Sequence, residues 1–176
     1  MMAAANLTAA GARQKLIPYR LLGDDMANNT GDPRPLIPAL APLYAHTADL
    51  SWLVVRASAG LMLLPHGIPK VFSQGVAAFA AAGLARRGIE PALPLAYVVA
   101  FLETVGGACI ALGLFTRFFA VAVAIEMAVI AWAHLPKFGW TSPGYEYPLF
   151  WGLIMVAIAL RGGGPYSLDR KIGKEL

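Results

Sequence analysis

Long apolar segments, separated by short polar ones, fill the chain from Leu50 to Leu160. A helix needs about 20 apolar residues to cross a ~30 Å hydrocarbon core. The pattern predicts an all-α membrane protein, a four-transmembrane-helix bundle, although the fourth segment is short for a span. The predicted spans are Leu50–Pro65, Ala92–Phe115, Phe118–Leu135 and Tyr147–Leu160, with Thr116 and Arg117 as the connection between the second and third.

The remaining segments divide the chain into three parts. Residues 1–48 are rich in proline, which opposes helix interiors and sheets alike, and are predicted to form an irregular tail. Residues 49–170 form the four-helix membrane domain, and residues 171–176 a short second tail. Within the domain, residues 71–90 are rich in alanine and partly amphipathic. This predicts a short interfacial helix between helices one and two.

Composition and charge agree with a membrane protein. The chain has 176 residues, 58% hydrophobic and 14% charged, whereas soluble domains are about 25% charged. Basic residues flank the apolar segments, so membrane topology explains the positive net charge and a nucleic-acid partner is not expected. The side shared by both termini carries Arg13, Lys15, Arg20, Arg34, Arg117, Arg161, Arg170, Lys171 and Lys174, and the other carries Lys70, Arg86, Arg87 and Lys137. The positive-inside rule therefore predicts cytoplasmic termini.

Three charged residues interrupt the apolar segments: Arg56, Glu103 and Glu126. A charge in mid-bilayer costs ~2.5–3.5 kcal/mol on insertion scales and usually faces a partner or a polar site. Each lies on a stripe of small residues at helical spacing, which predicts inward-facing helix surfaces. We expect a buried ion network in which Arg56 pairs with Glu126 or Glu103, Glu126 being the better geometric match. The network is either structural or part of a proton or quinone-headgroup site.

A second polar cluster is predicted at the opposite face from the termini. It consists of His66, Lys70, His134, Lys137 and Glu146. Two histidines on separate helices are able to relay protons, hold a quinone or ligate a haem. Haem is disfavoured because no third signal supports it, and no metal site is predicted.

The candidate proton donors are Glu103, His66 and His134. The chain has one cysteine, Cys109, and no C-x-x-C motif, which argues against a thiol-based quinone reductase. We expect no cofactor bound by motifs of the chain itself, and a quinone is a candidate ligand.

Several short motifs occur in order along the spans. They are R-A-S-A-G from Arg56, H-G-I-P-K from His66, F-L-E-T-V-G-G from Phe101, G-L-F-T-R from Gly113 and G-G-G-P-Y-S-L-D from Gly162. In these motifs the chain resembles the DoxX family of small four-helix membrane proteins, over about residues 50–170. Glu126 has no counterpart that we can match to the family pattern.

The resemblance implies a multi-pass component of oxidoreductase systems in the bacterial inner membrane. Relatives include the quinone-linked subunit of thiosulfate oxidation and a membrane partner of detoxifying enzymes. It favours an accessory or anchoring subunit of a respiratory or quinone-linked complex, not catalytic alone, with the N-terminal tail in contact with other subunits and lipid around the helices. Two alternatives are a quinone-reactive enzyme subunit that uses buried Glu and His residues, and a small proton-coupled transporter, for which no inverted repeat is apparent.

Overall fold

The apolar segments fold into helices. The computed structural model describes residues 35–141 and 143–175, and within them the secondary structure is helical, with no strand. The helices are α1 (Ala41–Leu61), α2 (Leu64–Phe72), α3 (Val76–Phe79), α4 (Ala92–Phe101), α5 (Gly107–Leu112), α6 (Thr116–Ala133), α7 (Glu146–Arg161) and α8 (Leu168–Ile172). Two π turns (Ala80–Leu84 and Leu102–Gly106) and two 3₁₀ turns (Pro38–Leu40 and Ala85–Arg87) complete the set.

Within residues 35–141 and 143–175, three helical stretches are long and apolar enough to cross a membrane. They are Pro38–Phe72, Ala92–Leu112 and Thr116–Ala133. Large hydrophobic side chains stand exposed along the helices, among them Val54, Val98, Phe118, Ile125 and Leu153. Such a continuous apolar exterior suits contact with lipid chains. The predicted all-helical membrane architecture is confirmed at this level.

The first span begins earlier than predicted. α1 starts at Ala41 rather than near Leu50, so residues 41–48, predicted to belong to the irregular tail, are helical. Pro42 does not prevent this, because proline lacks only a donor that the first helical turn leaves unpaired anyway. Residues 1–34 of the predicted tail lie outside the described residues. Contacts divide the chain into residues 1–41 and 42–176, and the following description concerns the second unit.

The prolines after α1 interrupt the helix only briefly. A turn at residues 62–63 separates α1 from α2, and α2 then contains Pro65 in its first turn and Pro69 in its interior. Proline is tolerated in a first helical turn. Residues 64–72 therefore continue the first span, in place of the stop at Pro65 that its sequence suggested.

Two further boundaries differ from prediction. Thr116 and Arg117 are the first residues of α6, and the connection from α5 is formed by residues 113–115, where Gly113 and Phe115 have φ of 73° and 48°. α8 crosses the predicted domain end at residue 170, and Ser167 caps it by accepting from the Arg170 N–H at 3.2 Å. Helix ends depend on local turns, which hydropathy does not resolve.

Between the first two spans, residues 76–87 are helical in short pieces. They comprise α3, a π turn and a 3₁₀ turn. Ala80 packs with Ala92 and Ala96 of α4 in a small core of its own. This segment therefore lies beside the start of α4.

The stripes of small residues face inward, as predicted. On the first span the buried residues of the stripe are Arg56, Gly60, Leu63 and Gly67. The main hydrophobic core contains Leu63, Ile110, Phe119, Val123, Met127, Met155 and Ile158. α1 and α5 approach most closely at Gly60 and Gly107. A Cβ on Gly60 would lie 2.5 Å from the Gly107 carbonyl oxygen. The backbones therefore touch at this point, as small residues permit in membrane helices.

We predict that Gly60→Ala lowers the thermal unfolding midpoint of the detergent-solubilised protein. Alanine is about 1 kcal/mol better than glycine in a helix, but the added methyl group collides with backbone, and overpacking costs about 1–3 kcal/mol. Gly139→Ala is the control, because a Cβ there meets nothing within 4 Å. A Gly60→Ala protein as stable as the wild type would show that the close approach is not a constraint.

Candidate functional site

Arg56 binds backbone carbonyls and not the predicted carboxylates. Its side chain is fully buried, and its two terminal nitrogens donate to the carbonyl oxygens of Ile110 (2.6 Å), Ala111 (2.6 Å) and Tyr166 (2.7 Å). Neither described ion pair involves Arg56. The predicted Arg56–Glu126 or Arg56–Glu103 pair is therefore wrong.

Helix direction and depth explain the difference. Helical side chains lean toward the helix N-terminus, so Arg56 points to the end of α5, where the regular helical hydrogen-bond pattern stops. Glu103 lies seven residues before Ile110, which at 1.5 Å per residue is about 10 Å away along the helix. The guanidinium therefore satisfies carbonyl groups at its own depth.

Asp169 was not predicted as a functional residue, yet it binds the start of α6, next to the end of α5 that Arg56 contacts. Its buried carboxylate accepts from the N–H groups of Phe115 (2.7 Å) and Thr116 (2.9 Å) and from the Thr116 hydroxyl (2.7 Å). An acidic side chain at a helix N-terminus satisfies unpaired donors and the helix dipole. The final residue of the G-G-G-P-Y-S-L-D motif thus caps α6 from more than 50 residues away.

Glu103 lies at the centre of the candidate site and pairs with Lys70. It is 5% exposed and lies in the π turn Leu102–Gly106, a helix irregularity that is frequent at functional sites. The Lys70 ammonium contacts the Glu103 carboxylate, donates to the His66 carbonyl oxygen at 2.9 Å and lies 4.8 Å from the centroid of the Phe79 ring.

Gly67 brings α2 against this turn. A Cβ on Gly67 would lie 2.8 Å from the Glu103 Cβ, so only glycine lets the two backbones approach this closely. One helical turn later, α2 carries Lys70 to the Glu103 carboxylate. Gly67, a small residue of the predicted stripe, therefore allows Lys70 to reach Glu103.

Two small cavities reach Glu103 from different directions. The first, here called the lysine cavity, has a volume of about 180 Å³, and its polar lining residues are Lys70, Arg87, Glu103 and His134. The second, the tyrosine cavity, has a volume of about 150 Å³, and its polar lining residues are His66, Glu103, Tyr147 and Trp151. The Tyr147 hydroxyl and His66 Nε2 are 3.3 Å apart. Glu103 therefore faces two polar chambers.

A third cavity is larger and apolar. It has a volume of about 320 Å³ and is lined by Leu84, Ile89, Leu95, Val98, Val99, Leu102, Ala122, Ile125, Glu126, Val129 and Ile130. Glu126 is the one ionisable residue among them. Leu84, Ile89, Val99 and Ile130 also line the lysine cavity. The polar and apolar cavities therefore adjoin.

The predicted polar cluster is assembled only in part. His66, Lys70 and His134 all line cavities that reach Glu103, but the two histidines line different cavities, and His134 Nδ1 lies 2.7 Å from the Ile130 carbonyl oxygen. Lys137 is exposed, Glu146 is half-buried, and neither lines these cavities. They follow the other residues in sequence without lying in the same site.

Sequence reasoning missed three residues of the site: Arg87, Tyr147 and Trp151. Tyr147 and Trp151 are one helical turn apart on α7, with their rings stacked 5.8 Å apart, and this spacing was the available signal. Within the described residues no group of three or more His, Cys, Asp or Glu side chains is placed to hold a metal ion.

Residues 51–135 match the model of the DoxX family. Residues 51–135 therefore form a DoxX-family domain. No curated protein and no solved structure matches the chain. The matched part of this DoxX protein includes Arg56, Lys70, Glu103 and both site histidines, whereas α7, with Tyr147 and Trp151, and the Asp169 cap lie beyond it. Family membership and the three apolar helices identify a membrane protein.

We predict strong coupling between Lys70 and Glu103 in a double-mutant cycle. Removing one partner of a buried pair costs about 3–5 kcal/mol because the other charge is left alone. Lys70→Met and Glu103→Gln should each destabilise the DoxX protein, and the double variant should lose less than the sum. The measurement is unfolding free energy in detergent, with Arg117→Gln and Glu175→Gln as the control cycle at a more exposed pair. Equal coupling in the two cycles would contradict the buried pairing.

We predict that Arg56→Leu lowers the unfolding midpoint more than Arg56→Lys does. Leucine leaves the Ala111 and Tyr166 carbonyls without their side-chain donor, at about 1–3 kcal/mol for each buried group left unpaired, whereas an ammonium group keeps a donor near them. Arg170→Leu is the control, because Arg170 is exposed. If Arg56→Leu has the same unfolding midpoint as Arg170→Leu, the carbonyl contacts of Arg56 contribute little to stability.

Proposed function

We propose that this DoxX protein is the membrane subunit of a quinone-linked oxidoreductase assembly, which it anchors, and that the site around Glu103 holds the quinone ring. The observation that carries this proposal is the buried Lys70–Glu103 pair at the boundary of polar and apolar cavities. Ionisable residues inside a membrane domain mark functional sites by default. A ligand with a polar head and an apolar tail matches both cavities.

The residues present fit a quinone. Its ring oxygens accept hydrogen bonds, which Lys70 is able to donate, and the ring hydroxyls of a quinol donate to acceptors such as His134 Nε2. The aliphatic lining of the 320 Å³ cavity suits an isoprenoid tail. In the tyrosine cavity, the buried Trp151 Nε1 has no hydrogen-bond partner among the described residues. The site is therefore mostly apolar with a few convergent polar groups, as small-molecule sites usually are.

Bound at this site, a quinone would supply two-electron, two-proton chemistry. Lys70 would orient the ring, and Glu103, His66 and His134 would hold or move protons beside it. The chain has a single cysteine, so it contains no dithiol pair to deliver electrons. A partner subunit is the proposed electron donor, which makes this protein an accessory component rather than an enzyme on its own.

The proposed membrane arrangement has four spans. α7 has 16 residues, about 24 Å at 1.5 Å per residue, and we assign it as a short fourth span because it packs along α6. The aromatic pairs Trp140–Tyr147 and Phe138–Tyr145 near its start suit the membrane interface. Residues 76–87 would lie at the same interface. The basic residues favour cytoplasmic termini, in a bacterial inner membrane.

The accessory role is tested by purification of the full chain from native membranes in mild detergent. We expect subunits of an oxidoreductase to co-purify with it, with the proline-rich tail as a contact. Isolation of a homogeneous protein of 18.6 kDa with no partner would overturn the accessory role while leaving the ligand site open to its own test.

For the site, we predict that Lys70→Met weakens binding of a short-chain para-benzoquinone about tenfold. A hydrogen bond from a charged donor contributes about 1.5–3 kcal/mol, and 1.4 kcal/mol is a factor of ten in affinity. Lys137→Met is the matched control, because Lys137 is exposed and lines none of the cavities at Glu103. The measurement is calorimetric titration of the detergent-solubilised full chain. Equal affinities of the two variants would contradict this placement of the ring.

A further inference from the structure

Among the residues that the structure describes, Glu126 stands out as a buried carboxyl group without a hydrogen-bond partner. It is 7% exposed on α6, and within the described residues neither of its oxygens has a hydrogen-bond partner. Buried polar side chains nearly always find one, so an exception requires an explanation. Lys70 already contacts Glu103, and the Arg56 terminal nitrogens are occupied by carbonyls. The missing partner of Glu126 is therefore expected from outside these groups.

The surroundings of Glu126 indicate where that partner lies. The side chain lines the 320 Å³ cavity, whose other lining residues are all hydrophobic. A purely hydrocarbon occupant would leave the carboxyl group unpaired, which is unfavourable. An occupant that carries an oxygen at this position would satisfy it. A carboxylic acid donates to a carbonyl oxygen, and a carboxylate accepts from a hydroxyl group.

Glu126 also lies close to the other polar groups of the site. Leu102, the residue before Glu103 in the chain, lines the same apolar cavity as Glu126. Val99 and Ile130 line both the apolar cavity and the lysine cavity, so the boundary between the cavities runs between Glu126 and the Lys70–Glu103 pair. A ring at this boundary would have polar protein groups on two sides.

We propose that Glu126 binds the second oxygen of a ring that carries one oxygen at each end, as para-quinones and quinols do. Lys70 binds the first oxygen, and the tail continues along the aliphatic wall of the apolar cavity. This inference rests on the proposed function and adds the residue that selects ligands by their second oxygen. Glu126 is a binding residue in this account, and no chemical step is assigned to it.

The test compares four probes on the detergent-solubilised full chain. They are a decyl-substituted para-benzoquinone, the two decylphenols that each keep one of its ring oxygens, and decylbenzene, which has neither. We expect the wild type to bind the quinone at least tenfold more tightly than either phenol. Glu126→Leu should reduce that ratio to about one, and Glu126→Gln, which keeps hydrogen-bonding capacity, should restore most of it.

A second measurement separates a binding role from a structural one. Without ligand, Glu126→Leu should unfold at the same or a higher temperature than the wild type, because it replaces an unpaired polar group by an apolar one of similar size. A large fall in the ligand-free unfolding temperature of Glu126→Leu would overturn the inference, since it would assign Glu126 a structural partner.

Failure of this inference differs from failure of the proposed function. If Glu126→Leu keeps the wild-type preference for the quinone over the phenols, Glu126 does not bind the second oxygen, while the quinone site around Lys70 stands. If the wild type itself binds the quinone no more tightly than decylbenzene, the proposed function is wrong, and this inference with it.

Discussion

The end of the domain that contains Arg56 depends on backbone groups that the fold buries away from water. A buried peptide N–H or C=O group needs a hydrogen-bond partner. α5 ends at Leu112 and α6 begins at Thr116, so this turn exposes carbonyls on one side and N–H groups on the other. Arg56 binds the carbonyls and Asp169 binds the N–H groups. Two charged side chains from distant parts of the chain thus complete one turn.

The segment after α7 is held by the same chemistry. Trp52 donates its indole N–H to the Gly162 carbonyl oxygen at 3.0 Å, and Arg117 donates to the Ala159 and Leu160 carbonyls at 2.8 and 2.7 Å. The Glu175 carboxylate accepts from the Gly163 N–H at 2.8 Å. These contacts bring α8, and with it Asp169, back to the start of α6. The basic residues here contribute as donors to carbonyls as well as through their charge.

The occupation of Arg56 has a direct consequence for the candidate site. Since Arg56 is bound to carbonyls, it does not neutralise the carboxylates deeper in the domain. Glu103 pairs with Lys70 instead, and Glu126 is left facing an apolar cavity. The hydrogen bonds of Arg56 are therefore separate from the polar site around Glu103. A single buried ion network that joined them had been predicted.

The sequence by itself determined the helical membrane fold, the second and third spans, the inward direction of the small-residue stripes and the grouping of His66, Lys70 and His134 near one end. Hydropathy and helical spacing are local properties, and they suffice for these features. The starts of α1 and α6 could not be predicted from hydropathy. The proline-rich segment before α1 and the Gly113–Phe115 turn before α6 are determined by backbone conformation rather than by apolar content.

Only the tertiary structure decided which charges meet. The partner of Arg56 depended on its depth relative to the end of α5, and the role of Asp169 depended on a fold-back that brings it to a helix more than 50 residues earlier. Likewise, Glu103 pairs with Lys70 because Gly67 lets two backbones touch. Electrostatic and hydrogen-bond partners are selected over distances of a few ångströms, and that relative placement is fixed by packing between helices, not by spacing along one of them.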